Sequence, residues 1–235
     1  MGLQERQPDG TRRMNEGVVH KNEPGLDATA PLVFVVDDDP SVRNALSRLL
    51  RSVGLQVELF ESASEFLQRQ CQVRPNCLVL DIRMPRVSGL DLQGQLLDSK
   101  IQTPIIFMTG HGDIPMSVRA MKAGALDFLA KPFRDQDMLD AVAAAIQRDK
   151  QARQADDASA KLRAAYKLLS KREREVIALV TSGLMNKQVA ARLGIREITA
   201  KIHRRNLMQK MKANSLAELV RMAEGLGIHE GSPLP

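Results

Sequence analysis

The chain has few aromatic residues and few cysteines. Its 235 residues include no tryptophan, one tyrosine and six phenylalanines, so its cores must be built from leucine, valine, isoleucine, methionine and alanine. Such cores suit helical or α/β packing. The two cysteines, Cys71 and Cys77, are too few for a disulfide framework or a metal cluster. They are typical of buried thiols in a reducing compartment, and we therefore expect a cytoplasmic location.

Long hydrophobic runs are also missing. The longest apolar stretches have the length of a strand, as in Leu32–Val36, so the sequence predicts no transmembrane helix and no membrane partner. The N-terminus is polar and lacks the apolar segment of a secretory signal. Residues 1–28 are polar, rich in turn residues and without apolar periodicity, and are predicted to form a disordered tail.

Basic residues are unevenly distributed. Residues 28–148 carry 13 lysines and arginines against 14 aspartates and glutamates, a net charge of −1. Residues 167–235 carry 13 against 6, a net charge of +7. The excess near the C-terminus predicts a polyanionic partner for that region. Charge alone leaves nucleic acid and a membrane surface as alternatives.

The region from residue 29 to residue 134 alternates strand-like apolar runs with amphipathic helical stretches. This alternation predicts an α/β domain, a doubly wound, five-stranded parallel sheet with helices on both faces. Sites in such folds lie beyond the carboxyl ends of the strands. The predicted strands are Leu32–Val36, Gln56–Phe60, Cys77–Leu80, Pro104–Met108 and Ala125–Leu129.

The rest of the chain has helical patterns only. Residues 135–167 are rich in alanine and contain no proline or glycine, and we interpret them as the last helix of the first domain continuing as a helical linker. Residues 168–235 contain short helices separated by Gly183 and Gly194, which predicts a small all-α domain. There, Ser170 and Glu173 form the pattern of a capping box.

Carboxylates follow two of the predicted strands. Asp37 and Asp38 come after the first strand and Asp81 ends the third, so adjacent parallel strands would bring the three together. Clustered carboxylates require a hard divalent cation such as Mg²⁺. Thr109 and Lys131 end the fourth and fifth strands, where a hydroxyl and an ammonium could contact the oxygens of an acyl phosphate.

Each of these residues has an ordinary structural interpretation when taken alone. Asp39 before Pro40 is the expected N-cap of a helix with proline at its first position. Thr109 would be a strand-end hydroxyl and Lys131 a surface charge. Only their combination at successive strand ends indicates a site.

That combination resembles the receiver domain of response regulators over the whole first domain. The matching segments are VVDDD at 35–39, LDIRMPRVSGL at 80–90, FMTG at 107–110 and KAGALDFLAKPF at 122–133. The resemblance implies a flavodoxin-like receiver fold with Asp81 as phosphoacceptor. It implies Mg²⁺ or Mn²⁺ as cofactor, with Asp37, Asp38, Asp81 and the Arg83 backbone carbonyl as its ligands. The implied switch residues are Thr109, Phe128 and Lys131.

The third helix of the second domain, predicted over 197–211, has two stripes of residues at helical spacing. Ala200, His203, Leu207 and Met211 are expected to face the core, whereas Ile198, Lys201, Ile202 and Arg205 form the other face. Cations suit phosphates or guanine edges, and isoleucine can contact a thymine methyl group. The alternative is an ordinary solvated helix surface.

The second domain resembles the LuxR-type helix-turn-helix, and the two domains together resemble the NarL/FixJ group of response regulators. The matching segments are LSKREREV at 169–176, GLMNKQVA at 183–190, TAKIHRRNLMQKM at 199–211 and SLAELVR at 215–221. The resemblance implies that Thr199, Lys201, Ile202 and Arg205 contact DNA. The chain departs from the family at Met185 and Arg196, where serine commonly caps a helix, and at Ala200, where valine is usual.

The resemblance implies a transcriptional regulator that is not an enzyme. Its only catalysis would be the magnesium-dependent transfer of a phosphoryl group onto its own aspartate. A sensor histidine kinase would phosphorylate Asp81, and the protein would then form a homodimer and bind double-stranded DNA. The alternative is a signalling protein that acts through protein–protein contacts and uses its C-terminal domain for oligomerisation.

Overall fold

The structure, a computed structural model, describes residues 30–69, 74–99, 102–110 and 114–228. Its first domain contains a five-stranded parallel sheet with the strand order β2-β1-β3-β4-β5. The predicted fold class is therefore confirmed. The predicted N-terminal tail and Cys71 lie outside the described residues. The strands are β1 (Leu32–Val36), β2 (Gln56–Phe60), β3 (Cys77–Asp81), β4 (Ile105–Thr109) and β5 (Asp127–Ala130).

The last two strands begin one or two residues later than predicted. Pro104 has no N–H to donate, although its carbonyl accepts a hydrogen bond from the Leu78 N–H at 2.9 Å. The Ala125 N–H donates to the Ala120 carbonyl at 3.0 Å, so Ala125 closes the end of the preceding helix. In β4 and β5, both boundaries of the strand therefore lie closer to the carboxyl edge of the sheet than predicted.

Four helices connect the strands, and polar side chains begin three of them. Asp39 caps α1 by accepting from the Ser41 N–H at 2.7 Å, as predicted. Ser62 caps α2, and Ser88 forms a reciprocal capping box with Asp91 at the start of α3. The helices are α1 (Pro40–Ser52), α2 (Ala63–Gln68), α3 (Gly89–Asp98) and α4 (Ile114–Lys122).

Alternate residues of the strands pack on opposite faces of the sheet. Phe34 and Leu80 belong to the core beneath α2, α3 and α4. Val35 and Val79 belong to the core beneath α1 and the helix that follows β5, α5 (Asp135–Lys167). Because both faces are covered, the central strands are apolar throughout and the polar residues are confined to the strand ends.

Helix α5 (Asp135–Lys167) runs without interruption for 33 residues from the first domain into the second. The second domain is helical, as predicted, and Ser170 and Glu173 form the expected capping box. Gly194 ends the second helix of this domain with a φ of 65°. The helices are α6 (Lys171–Thr181), α7 (Asn186–Leu193), α8 (Glu197–Met211) and α9 (Leu216–Gly225).

The core of the second domain combines residues from all of its helices with the end of α5. Tyr166 of α5, Ile177 of α6, Val189 of α7 and Leu219 of α9 belong to one buried cluster together with Leu207 of α8. None of the helices in the described part of the chain has the length and hydropathy needed to cross a bilayer.

Candidate functional sites

The strand register brings the predicted acidic residues to one edge of the sheet. Val36 of β1 pairs with Leu80 of β3, so Asp37 and Asp81, one position further along each strand, are neighbours. The order of the strands reverses between β1 and β3, which is where doubly wound folds bind ligands. Oxygen atoms of Asp37, Asp38 and Asp81 all lie within 4.8 Å of one another.

Lys131 joins this carboxylate cluster from the far strand. Its Nζ atom lies 2.6 Å from Oδ2 of Asp37 and 2.8 Å from Oδ2 of Asp81. The Lys131 backbone N–H also donates to the Thr109 carbonyl at 2.6 Å, which ties the lysine to the end of β4. The structure therefore brings together the acidic residues and Lys131 with Thr109 as its backbone neighbour.

Burial gives the cluster its electrostatic character. Asp37 is fully buried, Asp81 is nearly so and Asp38 is exposed. Burial raises the pKa of Asp37, and hydrogen bonds from Lys131 and Asp39 only partly oppose it. Burial lowers the pKa of Lys131, but its hydrogen bonds to Asp37 and Asp81 leave that pKa above its ordinary value. The lysine is therefore charged and compensates two neighbouring carboxylates.

The loop after β3 holds Asp81 through backbone contacts. The Arg83 N–H donates to Oδ1 of Asp81 at 3.1 Å, and the Gly89 N–H donates to the Ile82 carbonyl at 3.0 Å. A Cβ atom on Gly89 would lie 2.4 Å from the Asp81 carbonyl oxygen. The first position of α3 therefore has no room for a side chain.

The donor set suits a hard divalent cation. Three carboxylates from two adjacent strand ends supply oxygen ligands, which are those that Mg²⁺ and Mn²⁺ prefer. Asp38 is exposed, so one side of the cluster is open to solvent. Both observations fit a metal that retains several water ligands.

Two predicted switch residues differ in their surroundings. Thr109 is buried at the end of β4, whereas Phe128 of β5 is half-buried and packs against the core beneath α2, α3 and α4. The register pairs Thr109 with Ala130, the residue before Lys131. Phe128 thus lies on the edge strand β5, three residues before Lys131, which directly follows that strand.

Arg43 is a site residue that the sequence reasoning missed. Its Nη1 atom donates to the Asp37 backbone carbonyl at 2.6 Å, so α1 is tied to the acidic strand end. Arg43 lies four residues after the Asp39 N-cap. The sequence signal for this contact was a basic residue in the first turns of a helix that follows an acidic cluster.

The second candidate site is the outer face of α8. Ile198 and Ile202 are 62% and 52% exposed, and Lys201 and Arg205 beside them are exposed as well. Lys201 forms an exposed ion pair with Glu197 at 3.3 Å, and Thr199 is half-buried. The predicted outer face is thus displayed to solvent, with two apolar and two basic side chains available to a partner.

The opposite face of α8 packs as expected. Ala200, Leu207 and Met211 are buried, whereas His203 is only half-buried at the edge of the core. A link that the sequence reasoning missed joins α8 to α7, where Nη1 of Arg204 donates to Oδ1 of Asn186 at 3.2 Å. No short-range sequence pattern connects these two residues.

Known protein families match both domains. Residues 33–143 match the response regulator receiver domain, and residues 167–223 match the luxR family of bacterial regulatory proteins. The chain is 57% identical over 201 residues to Nodulation protein W of Bradyrhizobium diazoefficiens, covering 86% of this chain and 88% of that protein.

Two further comparisons extend over both domains. Transcriptional regulatory protein FixJ of Rhizobium meliloti is 46% identical over 191 residues, covering 81% of this chain and 94% of that protein. The solved structure of response regulator StyR is 52% identical and superposes with a TM-score of 0.76, covering 83% of this chain and 98% of that one. This chain belongs to the NarL/FixJ family of response regulators, and is a phosphorylation-controlled transcriptional regulator with a receiver domain and a LuxR-type DNA-binding domain.

Proposed function

We propose that Asp81 is the phosphoacceptor of this regulator. The observation that carries the proposal is the contact of Lys131 with both Asp37 and Asp81 at 2.6 and 2.8 Å. The Asp81 carboxylate attacks a phosphohistidine phosphorus atom, the P–N bond breaks, and the phosphoryl group remains on Asp81 as an acyl phosphate. The protein is thus an acceptor and not an enzyme with its own substrate turnover.

Asp37, Asp38, Asp81 and the Arg83 backbone carbonyl would hold Mg²⁺ or Mn²⁺. The metal would neutralise the charge that develops on the phosphoryl oxygens. Lys131 supplies a second positive charge through its contacts with Asp37 and Asp81. The Thr109 hydroxyl, at the end of the adjoining strand, donates to a phosphoryl oxygen once Asp81 is modified.

The phosphoryl donor would be a sensor histidine kinase. An apolar groove of about 500 Å³ lies beside the site, between α1 and the start of α5. Its lining includes the apolar side chains of Val42, Leu46, Leu49 and Phe133, and it also includes Lys131. An apolar groove of this kind fits the amphipathic helix of a partner, which would place its phosphohistidine near Asp81.

The response would reach DNA through dimerisation. Contact of Thr109 and Lys131 with the phosphoryl group displaces the ends of β4 and β5, and Phe128 turns inward from its half-buried position. The surface of α4 and β5 then forms a homodimer. Two α8 helices meet the half-sites of double-stranded DNA in the cytoplasm, through Thr199, Lys201, Ile202 and Arg205.

Phosphorylation of an Asp81→Asn variant tests the acceptor. With acetyl phosphate as donor we expect no incorporation of labelled phosphate, because an amide cannot form the acyl phosphate. Asp98→Asn, which changes an exposed carboxylate at the end of α3, is the control and should be labelled as the parent is. Base-labile label on the Asp81→Asn protein would contradict the assignment.

Alanine substitution tests the DNA contacts. Lys201→Ala and Arg205→Ala should each weaken binding by about 1–3 kcal/mol if the side chain contacts guanine. A phosphate contact would weaken binding to all sequences and reduce the slope of log affinity against log salt by about one. Lys161→Ala, on the exposed part of α5, is the control. Unchanged affinity of both α8 variants would refute this interface.

A further inference from the structure

A buried carboxylate lies on α5 at the end of the receiver domain that is opposite the phosphorylation site. The Asp149 side chain is fully buried, and three donors surround it. Nη2 of Arg74 lies 2.9 Å from Oδ1, Nδ2 of Asn76 lies 2.8 Å from Oδ2, and Nε of Arg153 lies 2.6 Å from Oδ2. We call these four residues the Asp149 cluster.

The Asp149 cluster connects α5 to two central strands. The Leu32 N–H, at the start of β1, donates to Oδ1 of Asn76 at 2.9 Å. Nη2 of Arg153 donates to the carbonyls of Arg74 and Pro75, at 3.0 and 3.1 Å, in the segment that leads into β3. Movement of α5 away from these strands would separate Asp149 from Arg74 and Asn76, which is costly because a buried carboxylate would lose hydrogen-bond and ion-pair partners.

Beyond the Asp149 cluster, α5 loses contact with the receiver domain. Its last apolar contact with the receiver core is Ile146. Residues 154–161 are exposed except for the half-exposed Ser159. Contact with the DNA-binding domain begins at Leu162 and continues through Ala165 and Tyr166. The helix is thus held at both ends and solvated between them.

The length of the solvated segment depends on the cluster. With the cluster intact, the solvated segment is eight residues long, 154–161, and the helix on either side of it is held by a domain. Without the cluster it would extend back to residue 147, about fifteen residues, near the length at which an isolated helix is only marginally stable in water. The alanines of the segment favour helix but do not remove this limit.

We propose that the Asp149 cluster fixes the point and the rotational phase at which α5 leaves the receiver domain, and so makes the linker a rigid connection to the DNA-binding domain. Asp149 and Arg153 are positioning residues, since neither contacts the phosphorylation site or α8 in the described structure. The inference concerns the connection between the domains and does not depend on the identity of the phosphoacceptor.

Distance measurements between two spin labels test the proposal in the full chain. Labels are attached to Arg48→Cys on α1 and Glu224→Cys on α9, both exposed positions, with Cys71 replaced by serine and the buried Cys77 retained. The variants are Asp149→Asn and Arg153→Gln. Asp156→Asn, the same chemical change at an exposed position of the helix, is the matched control.

We expect a narrow distance distribution for the parent and for Asp156→Asn. In both cluster variants the distribution should lose its narrow peak and broaden, because a solvated segment of about fifteen residues is only marginally stable as a helix in water. Circular dichroism checks that each variant folds, and Arg153→Gln leaves Asp149 with two partners should Asp149→Asn unfold. A folded cluster variant as narrow as the parent, or equal broadening in Asp156→Asn, would overturn the proposal.

Discussion

At Gly89 the structure predicts that substitution by alanine destabilises the protein, although alanine is the better helix former. It opens α3, where alanine is favoured over glycine by up to about 1 kcal/mol. In Gly89→Ala, however, the new Cβ atom would lie 2.4 Å from the Asp81 carbonyl oxygen and 3.1 Å from Cα of Ile82. Both neighbours are backbone atoms of the loop that carries Asp81, so they cannot move aside as a side chain would.

Overpacking of a close contact costs about 1–3 kcal/mol. After a gain in propensity of about 1 kcal/mol, we expect Gly89→Ala to lower the free energy of unfolding by up to about 2 kcal/mol. Gly94→Ala is the matched control on the same helix, because nothing lies within 4 Å of its Cβ position. That control should gain about 0.5–1 kcal/mol.

Urea unfolding followed by circular dichroism measures the difference. Tyr166, the single tyrosine, lies in the core of the DNA-binding domain, so its fluorescence reports that domain and should be the same in both variants. Acceptance of phosphate from acetyl phosphate should slow in Gly89→Ala only, because the displaced backbone carries Asp81. Equal stabilisation by Gly89→Ala and Gly94→Ala would refute the steric argument.

Two further predictions concern the DNA-binding domain. Met185→Ser should raise the stability of that domain by about 0.5–2 kcal/mol, because serine is a better N-cap acceptor than a thioether. The Met185 side chain is 68% exposed. The Met185 N–H already donates to Oε1 of Gln188 at 2.8 Å, so serine would complete a capping box. A loss of stability on thermal unfolding would show that the methionine packs instead. Burial raises the pKa of Glu173, but hydrogen bonds from Lys210 and Ser170 bring it below the ordinary value of 4.5. Its stabilising effect is therefore present above about pH 4.5 and is lost as pH falls through the lower, folded-state pKa. Urea titrations between about pH 3 and 6 should show that the free energy of unfolding of Glu173→Gln depends less steeply on pH than that of the parent. An unchanged slope of free energy against pH would contradict this prediction.

The sheet and its site could be predicted because their signals are local. Each strand is a short apolar run and each polar site residue follows a strand directly, so the parallel architecture alone brings Asp37 and Asp81 to one edge. The boundaries of α7 and α8 were likewise set by local chemistry, since Gly194 ends one helix. The roles of the site residues remain predictions that the phosphorylation and binding experiments test.

Contacts between residues distant in the sequence could not be predicted in the same way. Asp149 and Arg74 are 75 positions apart, and in the sequence Asp149 is an ordinary charged residue of a polar helix. Asp149 lies four residues after the buried Ala145, on the same face of α5, but that spacing does not identify Arg74 as its partner. Arg204 and Asn186 likewise pair across two helices. Such contacts depend on tertiary packing and side-chain conformation.

The geometry at the carboxyl edge explains why modification of one side chain could be transmitted across two strands. Lys131 compensates the charge of Asp37 and Asp81, while its backbone N–H is bonded to the carbonyl of Thr109 at 2.6 Å. A phosphoryl group on Asp81 would add negative charge farther from the strand end, and the lysine would follow it. Because the lysine backbone is tied to Thr109, that movement would displace the ends of β4 and β5 together. The surface that contains Phe128 would therefore respond as a unit to the charge on Asp81.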